Sequence, residues 1–163
     1  MNELPENTAR NYRMNYYYLG ASLPYLKLGI QPSIDSAYFL SICREQLKSY
    51  DFSALLTLRN QNTLLKQLHL RHPFLAAWRS FLIQLHNTII KFRSKILSLD
   101  PSPYLIPTTH FNLFIENQVR EAFEQESPLE KELIIDKLQW NESERIGGVN
   151  NFSANAILGY FIR

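Results

Sequence analysis

Apolar residues recur along most of this chain at the spacing of a helix rather than that of a strand. The clearest run is "PFLAAWRSFLIQLHNTIIKFRSKILSL", where Leu75, Trp78, Leu82, Leu85, Ile89, Phe92 and Ile96 are separated alternately by three and four positions. At 3.6 residues per turn those side chains fall on one face over three heptads. Some 25 residues at about 1.5 Å each give a rod of roughly 38 Å. Phe74, Phe81, Ile83 and Ile90 flank the seam, so the apolar face is wider than a two-stranded coiled coil needs. The spacing predicts the central strut of a helical bundle over residues 74–97. The alternative, a seam open to a partner helix, leaves the flanking residues in water. His72-Pro73 marks the start, because proline disfavours helix in the residue before it, and "DPSPYLIP" at 100–107 marks the end. Lys91, Arg93 and Lys95 lie in the last turns, where they complement the helix dipole.

The same spacing predicts shorter helices on both sides. "QPSIDSAYFLSICREQLKSYD" reads as a helix opened by Pro32 and Ser33, with Ala37, Leu40, Cys43 or Arg44, and Leu47 at the helical spacing. Asp51 is placed to cap "FSALLTL", and "QNTLLKQLHL" runs to about Leu70. Phe114, Ile115, Val119, Ala122 and Phe123 form one stripe. "SPLEKELIIDKLQW" starts another helix, with Ser127 as cap, Pro128 at the first helical position, and Leu129, Leu133, Ile134, Lys137 and Leu138 on its face. Gly147-Gly148 ends it. Ser153 then caps a last helix whose Ala154, Ile157, Leu158 and Phe161 follow at i, i+3, i+4 and i+7. Only "MNYYYLGASLPYL" departs from this pattern. Three consecutive tyrosines favour an extended backbone, and Gly20 and Pro24 break any long element, so a short strand or extended arm is expected. Residues 1–13 are polar and read as a disordered extension, with Met1 or Met14 as the native start. Residues 14–163 then form one all-α domain, an irregular helical bundle around one long central helix.

Composition supports that picture and adds little chemistry. Apolar residues make up 45% and aromatics 13%, enough bulk for a core, while five glycines are few for an all-β protein with many tight turns. The single cysteine, Cys43, excludes an internal disulfide and sits beside Phe39 and Leu47 in a helical pattern. A buried inert thiol in a reducing compartment is expected. The net charge of +2 is too small to argue for nucleic acid, but it is unevenly spread: residues 1–115 carry twelve Lys/Arg against six Asp/Glu, and residues 116–163 carry five against nine. Such a division suits charge-matched surfaces, within the chain or with partners, and it also suits ordinary solvated helix faces. The first residues have no apolar core and are no signal peptide. No apolar run approaches the roughly 20 residues that span a bilayer.

No constellation for catalysis is legible. His69 and His72 could share a helical face, but no acidic ligand lies near in sequence and Pro73 disturbs the geometry, so no metal site is expected. HExxH, GxSxG, GxxxxGK[ST] and GxGxxG are all absent. The chain reads as a non-enzyme without a cofactor. The tyrosines of "MNYYYLGASLPYL" could stack on bases, with Lys27, Arg10 and Arg13 on phosphates. So few basic residues favour the plainer reading, aromatics anchoring a chain end on a helical core.

"NYYYLGASLPYL", "FLSICREQL" and "DFSALL" resemble the opening of an uncharacterised bacterial family whose genes lie beside those for V/A-type ATPase components. "SPLEKELIIDKLQW" and "FSANAILGYFIR" look like its second half. That family is in turn similar to the C-type central-stalk component of V/A-type ATPases, the d-type component of the eukaryotic enzymes. The resemblance covers most of residues 14–163 and rests on the order of short blocks, each weakly specific alone. It implies a non-catalytic coupler on the cytoplasmic face of the proton- or sodium-conducting ring, seating the central shaft. It implies the rotor subunits as partners, with no direct nucleic acid and with membrane association only through the complex. Partner contacts are expected at Tyr17, Tyr18, Leu23, Pro24, Ile157, Leu158 and Phe161. In the family the helix matching 153–163 continues past "YFIR", so this chain is expected to be the N-terminal portion of a larger helical fold, prone to self-associate. The alternative is a helical adaptor or chaperone-like module unrelated to ATPases.

Overall fold

The structure is a computed structural model that describes residues 16–67 and 69–163. Among these, eight α-helices follow one another with no strand: α1 (Tyr17–Ser22), α2 (Ser36–Gln46), α3 (Ser49–Leu58), α4 (Gln61–Lys66), α5 (Pro73–Leu97), α6 (Leu113–Glu124), α7 (Pro128–Gly147) and α8 (Ala154–Ile162). The all-α class and the long central helix are as expected. The predicted extension at 1–13 and the choice between Met1 and Met14 lie outside the described residues.

Local chemistry sets most helix starts. The side chains of Asp35, Asn60, His72, Asn112, Ser127 and Ser153 each accept a backbone N–H two or three residues on. Caps of this kind contribute about 1 kcal/mol each. Pro32 and Ser33 do not open α2. Asp35 does, because its carboxylate reaches the N–H of Tyr38 at 2.7 Å. Asp51 is likewise not a cap; Lys48 precedes α3 and Asp51 lies inside its first turn, its carboxylate turned inward. α4 stops at Lys66 rather than Leu70. The Arg79 guanidinium donates to the Leu65 carbonyl from Nε (3.2 Å) and Nη2 (3.0 Å), on the oxygen that a longer helix would use for His69.

The tyrosine segment is a helix and not a strand. Tyr16 donates its N–H to Phe152 O (2.6 Å), and Tyr16 O accepts from Gly20 N–H (2.8 Å). Leu19 is buried. One turn of helix is too short to stand on propensity, so the contacts with the end of the chain hold it.

In α5, Leu75, Trp78, Leu82 and Leu85 are buried, as are the flanking Phe74, Phe81 and Ile83. Ile89 and Phe92 are half-buried against the core. The seam does not extend to Ile96, which is exposed together with Lys95, Leu97 and Leu99, because no neighbouring helix covers that side of the last turn. Ser98 ends the helix in the left-handed region (φ 54°), with its N–H on Ser94 O. The connection to α6 then folds back along α5. The Asn87 side chain pairs with the backbone of Ile106 in both directions, donating to its carbonyl (2.7 Å) and accepting from its N–H (2.9 Å). α6 therefore begins beside the middle of α5, and Phe123 near its end stacks on Phe92 at 5.4 Å.

α7 returns against α6 and α8 against α7. Leu129 and Leu133 lie in solvent and Lys137 is exposed; Ile135, Leu138 and Ile146 supply the packed face instead, a rotation of the predicted stripe. Phe114 on α6 is also exposed, while Ile115, Val119 and Ala122 are buried. α7 and α8 approach closely at Gly159, where a Cβ would lie 2.8 Å from Ser143 O. Gly148, at φ 77°, makes the turn out of α7. Ile157 and Leu158 enter a core that includes Phe39, Leu55, Leu64, Phe74, Trp78 and Val119.

Candidate functional site

Two polar features stand out in this fold, one buried and one open. The buried one joins α1, α3 and α5. Tyr16 donates its hydroxyl to Asp51 Oδ2 (2.5 Å), and His72 Nε2 lies 3.2 Å from Asp51 Oδ1. His72 Nδ1 accepts the Phe74 N–H at 3.3 Å. Nδ1 therefore carries no proton and Nε2 does, so the ring donates to the carboxylate. Tyr50 stacks on the His72 ring at 5.1 Å. Burial, and then the bond to Asp51, push the Tyr16 hydroxyl up to about 12. Each polar atom of this cluster has a partner and the cluster is closed to solvent, so its chemistry is to lock three helices together. His69 takes no part in it.

The open feature is a cleft of about 740 Å³ between the α3–α4 corner, α7 and the end of α8. Trp78 and Leu58 lie at its base, with Trp140, Phe161 and Ile162 on one wall. Arg59, Gln61, Asn62, Asp136, Gln139 and Arg163 supply its polar lining. α3 brings Arg59 there because it ends at Leu58, and α7 brings Asp136, Gln139 and Trp140 at i, i+3 and i+4. Arg163 is held in place: its guanidinium lies over the Trp140 ring at 5.6 Å and meets Glu144 at 2.6 Å. Arg59 and Asp136 have no ion pair among the described residues. Amides, the Arg59 cation and the Asp136 carboxylate make a surface for recognition by hydrogen bonding. Among the described residues, no group of three or more His, Cys, Asp or Glu is placed to hold a metal, and none of the described helices is long and apolar enough to cross a membrane.

The residues expected to meet partners do not form one patch. Tyr17 and Tyr18 are exposed; the Tyr17 ring packs at a tilt of 53° on Phe152 at 4.8 Å, with Tyr18 edge-on to it. Leu23 and Pro24 are half-buried, and the Pro24 carbonyl accepts from the Tyr160 hydroxyl at 2.9 Å. Phe161 is half-buried, stacked on Phe39 and reaching the cleft wall. Ile157 and Leu158 are core residues and present nothing to a partner; an amphipathic stripe marks a buried face as readily as a docking face. Lys27, considered for phosphate contact, is exposed, while Arg10 and Arg13 lie outside the described residues. Cys43 is fully buried, and burial pushes its thiol up to about 12. Sequence reading missed the cleft: Arg59, Asn62, Gln139 and Trp140 come from segments 80 residues apart and share no local pattern. No family model, curated protein or solved structure matches this chain.

Proposed function

We propose that this chain is a non-catalytic component of a V/A-type ATPase or ATP synthase, coupling the membrane ring to the central shaft from the cytoplasmic side. The resemblance of separated blocks to the ATPase-linked family carries the reading, and those blocks lie side by side in the fold. "NYYYLGASLPYL" meets "FSANAILGYFIR" through the Tyr16–Phe152 backbone bond and the Tyr160–Pro24 bond. "FLSICREQL" meets it through Phe39, stacked on Tyr160 and Phe161 at 5.4 and 5.8 Å. "DFSALL" meets the first block through Asp51 and Tyr16. "SPLEKELIIDKLQW" packs on the last through Leu138 and the α7–α8 contact.

Purification of the tagged chain from its own cell, with the reciprocal capture on a shaft protein, tests the assignment. Ring and shaft subunits are the expected companions. Consistent recovery of a different complex without ATPase subunits would establish the alternative, a helical adaptor, for which the amide-lined cleft is the natural binding surface.

A further inference from the structure

Exposed apolar side chains gather at residues 25–30, at 111–114 and at the end of α5, and only the last group follows three unpaired cations among the described residues. Ile96, Leu97, Leu99 and Tyr104 are 66, 64, 60 and 65% exposed. Large apolar side chains that far out of the fold within nine residues are unusual for a soluble surface, where such residues are normally scattered singly. They are preceded by Lys91, Arg93 and Lys95, all exposed and without an ion pair among the described residues. Asp100 is the one carboxylate between residues 91 and 104. It is already engaged, accepting the N–H (3.0 Å) and hydroxyl (2.7 Å) of Ser102, bonds that hold it below the usual carboxylate range. The helix stops at Ser98 in a left-handed turn, with both the Ser98 and Leu99 N–H groups on Ser94 O. The tip is thereby fixed in shape while its apolar side chains stay outside.

We propose that the tip of α5 is a membrane-docking element that takes an anionic lipid surface. Aliphatic side chains at an exposed helix end suit the boundary between headgroups and acyl chains, and a tyrosine beside them suits the headgroup layer. Three cations one to two turns behind the tip meet lipid phosphates and carboxylates without leaving water. Charge selects the partner's sign, and exposed aliphatic side chains directly beside cations match the anionic and apolar layers of one lipid surface. A protein partner would need an acidic groove shaped to the tip. The exposed α7 face bears Leu129 and Leu133 among Glu126, Glu130 and Glu132, which makes a second copy the competing occupant. Lipid binding here does not depend on the ATPase assignment, and it adds a direct membrane contact to the contact through the complex.

The experiment is flotation of the full chain with phosphatidylcholine vesicles and with vesicles that also contain phosphatidylserine, at low and high salt. A Leu97→Cys variant carrying an environment-sensitive dye reports insertion, since Cys43 is buried and stays unlabelled. Flotation on the phosphatidylserine vesicles, weakened by salt, is expected. Each of K91Q, R93Q and K95Q is expected to weaken it about fivefold. The double change Leu97→Ser and Leu99→Ser should abolish flotation, and Leu99→Ser added to the labelled Leu97→Cys variant should abolish the dye's blue shift, while circular dichroism stays unchanged. The proposal is overturned by absence of flotation at low salt, by equal flotation on both vesicle types, or by flotation that neither set of variants alters. It is also overturned, in favour of a second copy, if light scattering shows self-association lost in the tip variants and in Leu133→Lys while no vesicle is bound.

Discussion

Two regions of this protein are rich in aromatic and aliphatic side chains, and they behave in opposite ways. At one end, residues 16–24 meet α8 and α2. There Tyr16, Phe39, Phe152, Tyr160 and Phe161 stack and hydrogen-bond across more than a hundred residues of sequence, and the Tyr160 hydroxyl, Pro24 carbonyl and Asp51 carboxylate all have partners. At the other end, the tip of α5 presents Ile96, Leu97 and Leu99 beside three cations without ion pairs among the described residues. Apolar content alone does not distinguish a core from a docking surface. What distinguishes them is whether the polar groups alongside are satisfied inside the fold, because an apolar cluster with paired neighbours has no remaining valence for a partner.

Substitutions can break this contrast at graded cost. Trp78→Ala should be the most damaging, at about 3–5 kcal/mol, since it empties the base of the core and the cleft together. A urea midpoint close to that of the parent would show that Trp78 is not the strut it is taken to be. Gly159→Ala comes next. The gain in helix propensity, about 1 kcal/mol, is smaller than the roughly 1–3 kcal/mol of overpacking, because the obstacle at 2.8 Å is the backbone oxygen of Ser143, which cannot rotate away. Gly147→Ala is the control: its new methyl would meet Ala156 Cα at 3.5 Å, an ordinary contact, and stability should be unchanged or slightly raised. Equal losses in the two variants would refute the close-approach account of α7 and α8.

Tyr16→Phe should cost about 1–2 kcal/mol by removing one donor from a buried carboxylate. The same hydroxyl gives a pH signature. Tyr16 and Cys43 both hold their protons more tightly in the folded chain, raised from 10.0 and 9.0 to about 12. The stability they contribute is therefore complete below about pH 9 and falls as pH rises towards about 12. Denaturation midpoints measured from pH 8 upward should decline more gently in Tyr16→Phe than in the parent, and parallel declines would remove Tyr16 from the explanation. The smallest effect belongs to the other region. Leu97→Ser should change stability by no more than about 0.5 kcal/mol, since its side chain is mostly in water. A loss of several times that would mean the tip is packed after all.

How far each element was legible in the sequence follows the range of the forces that form it. The helix class, the span of α5 and the starts at Ser127 and Ser153 depend on 3.6-residue periodicity and on caps acting within four residues, which any reading of the chain contains. The stripe of α8 was equally legible as apolar. Whether it faced a core or a partner was not, since Ile157 and Leu158 are buried by α3 and α7, whose arrival in space no local pattern announces. The tyrosine segment went from expected strand to helix because Phe152 and Asp51, far along the chain, supply the bonds that outweigh tyrosine's own preference. Asp51 itself looked like a cap and became the centre of a buried triad once α5 brought His72 to it. The cleft was invisible for the same reason: Arg59 and Trp140 are neighbours only after α7 has folded back across the α3–α4 corner. Sequence alone determined where this chain winds into helices and which side of most of them is apolar, because those are short-range properties of the backbone and its nearest side chains. Only the tertiary structure decided which apolar sides are covered and which are left at the surface, because burial depends on neighbours supplied by distant parts of the chain.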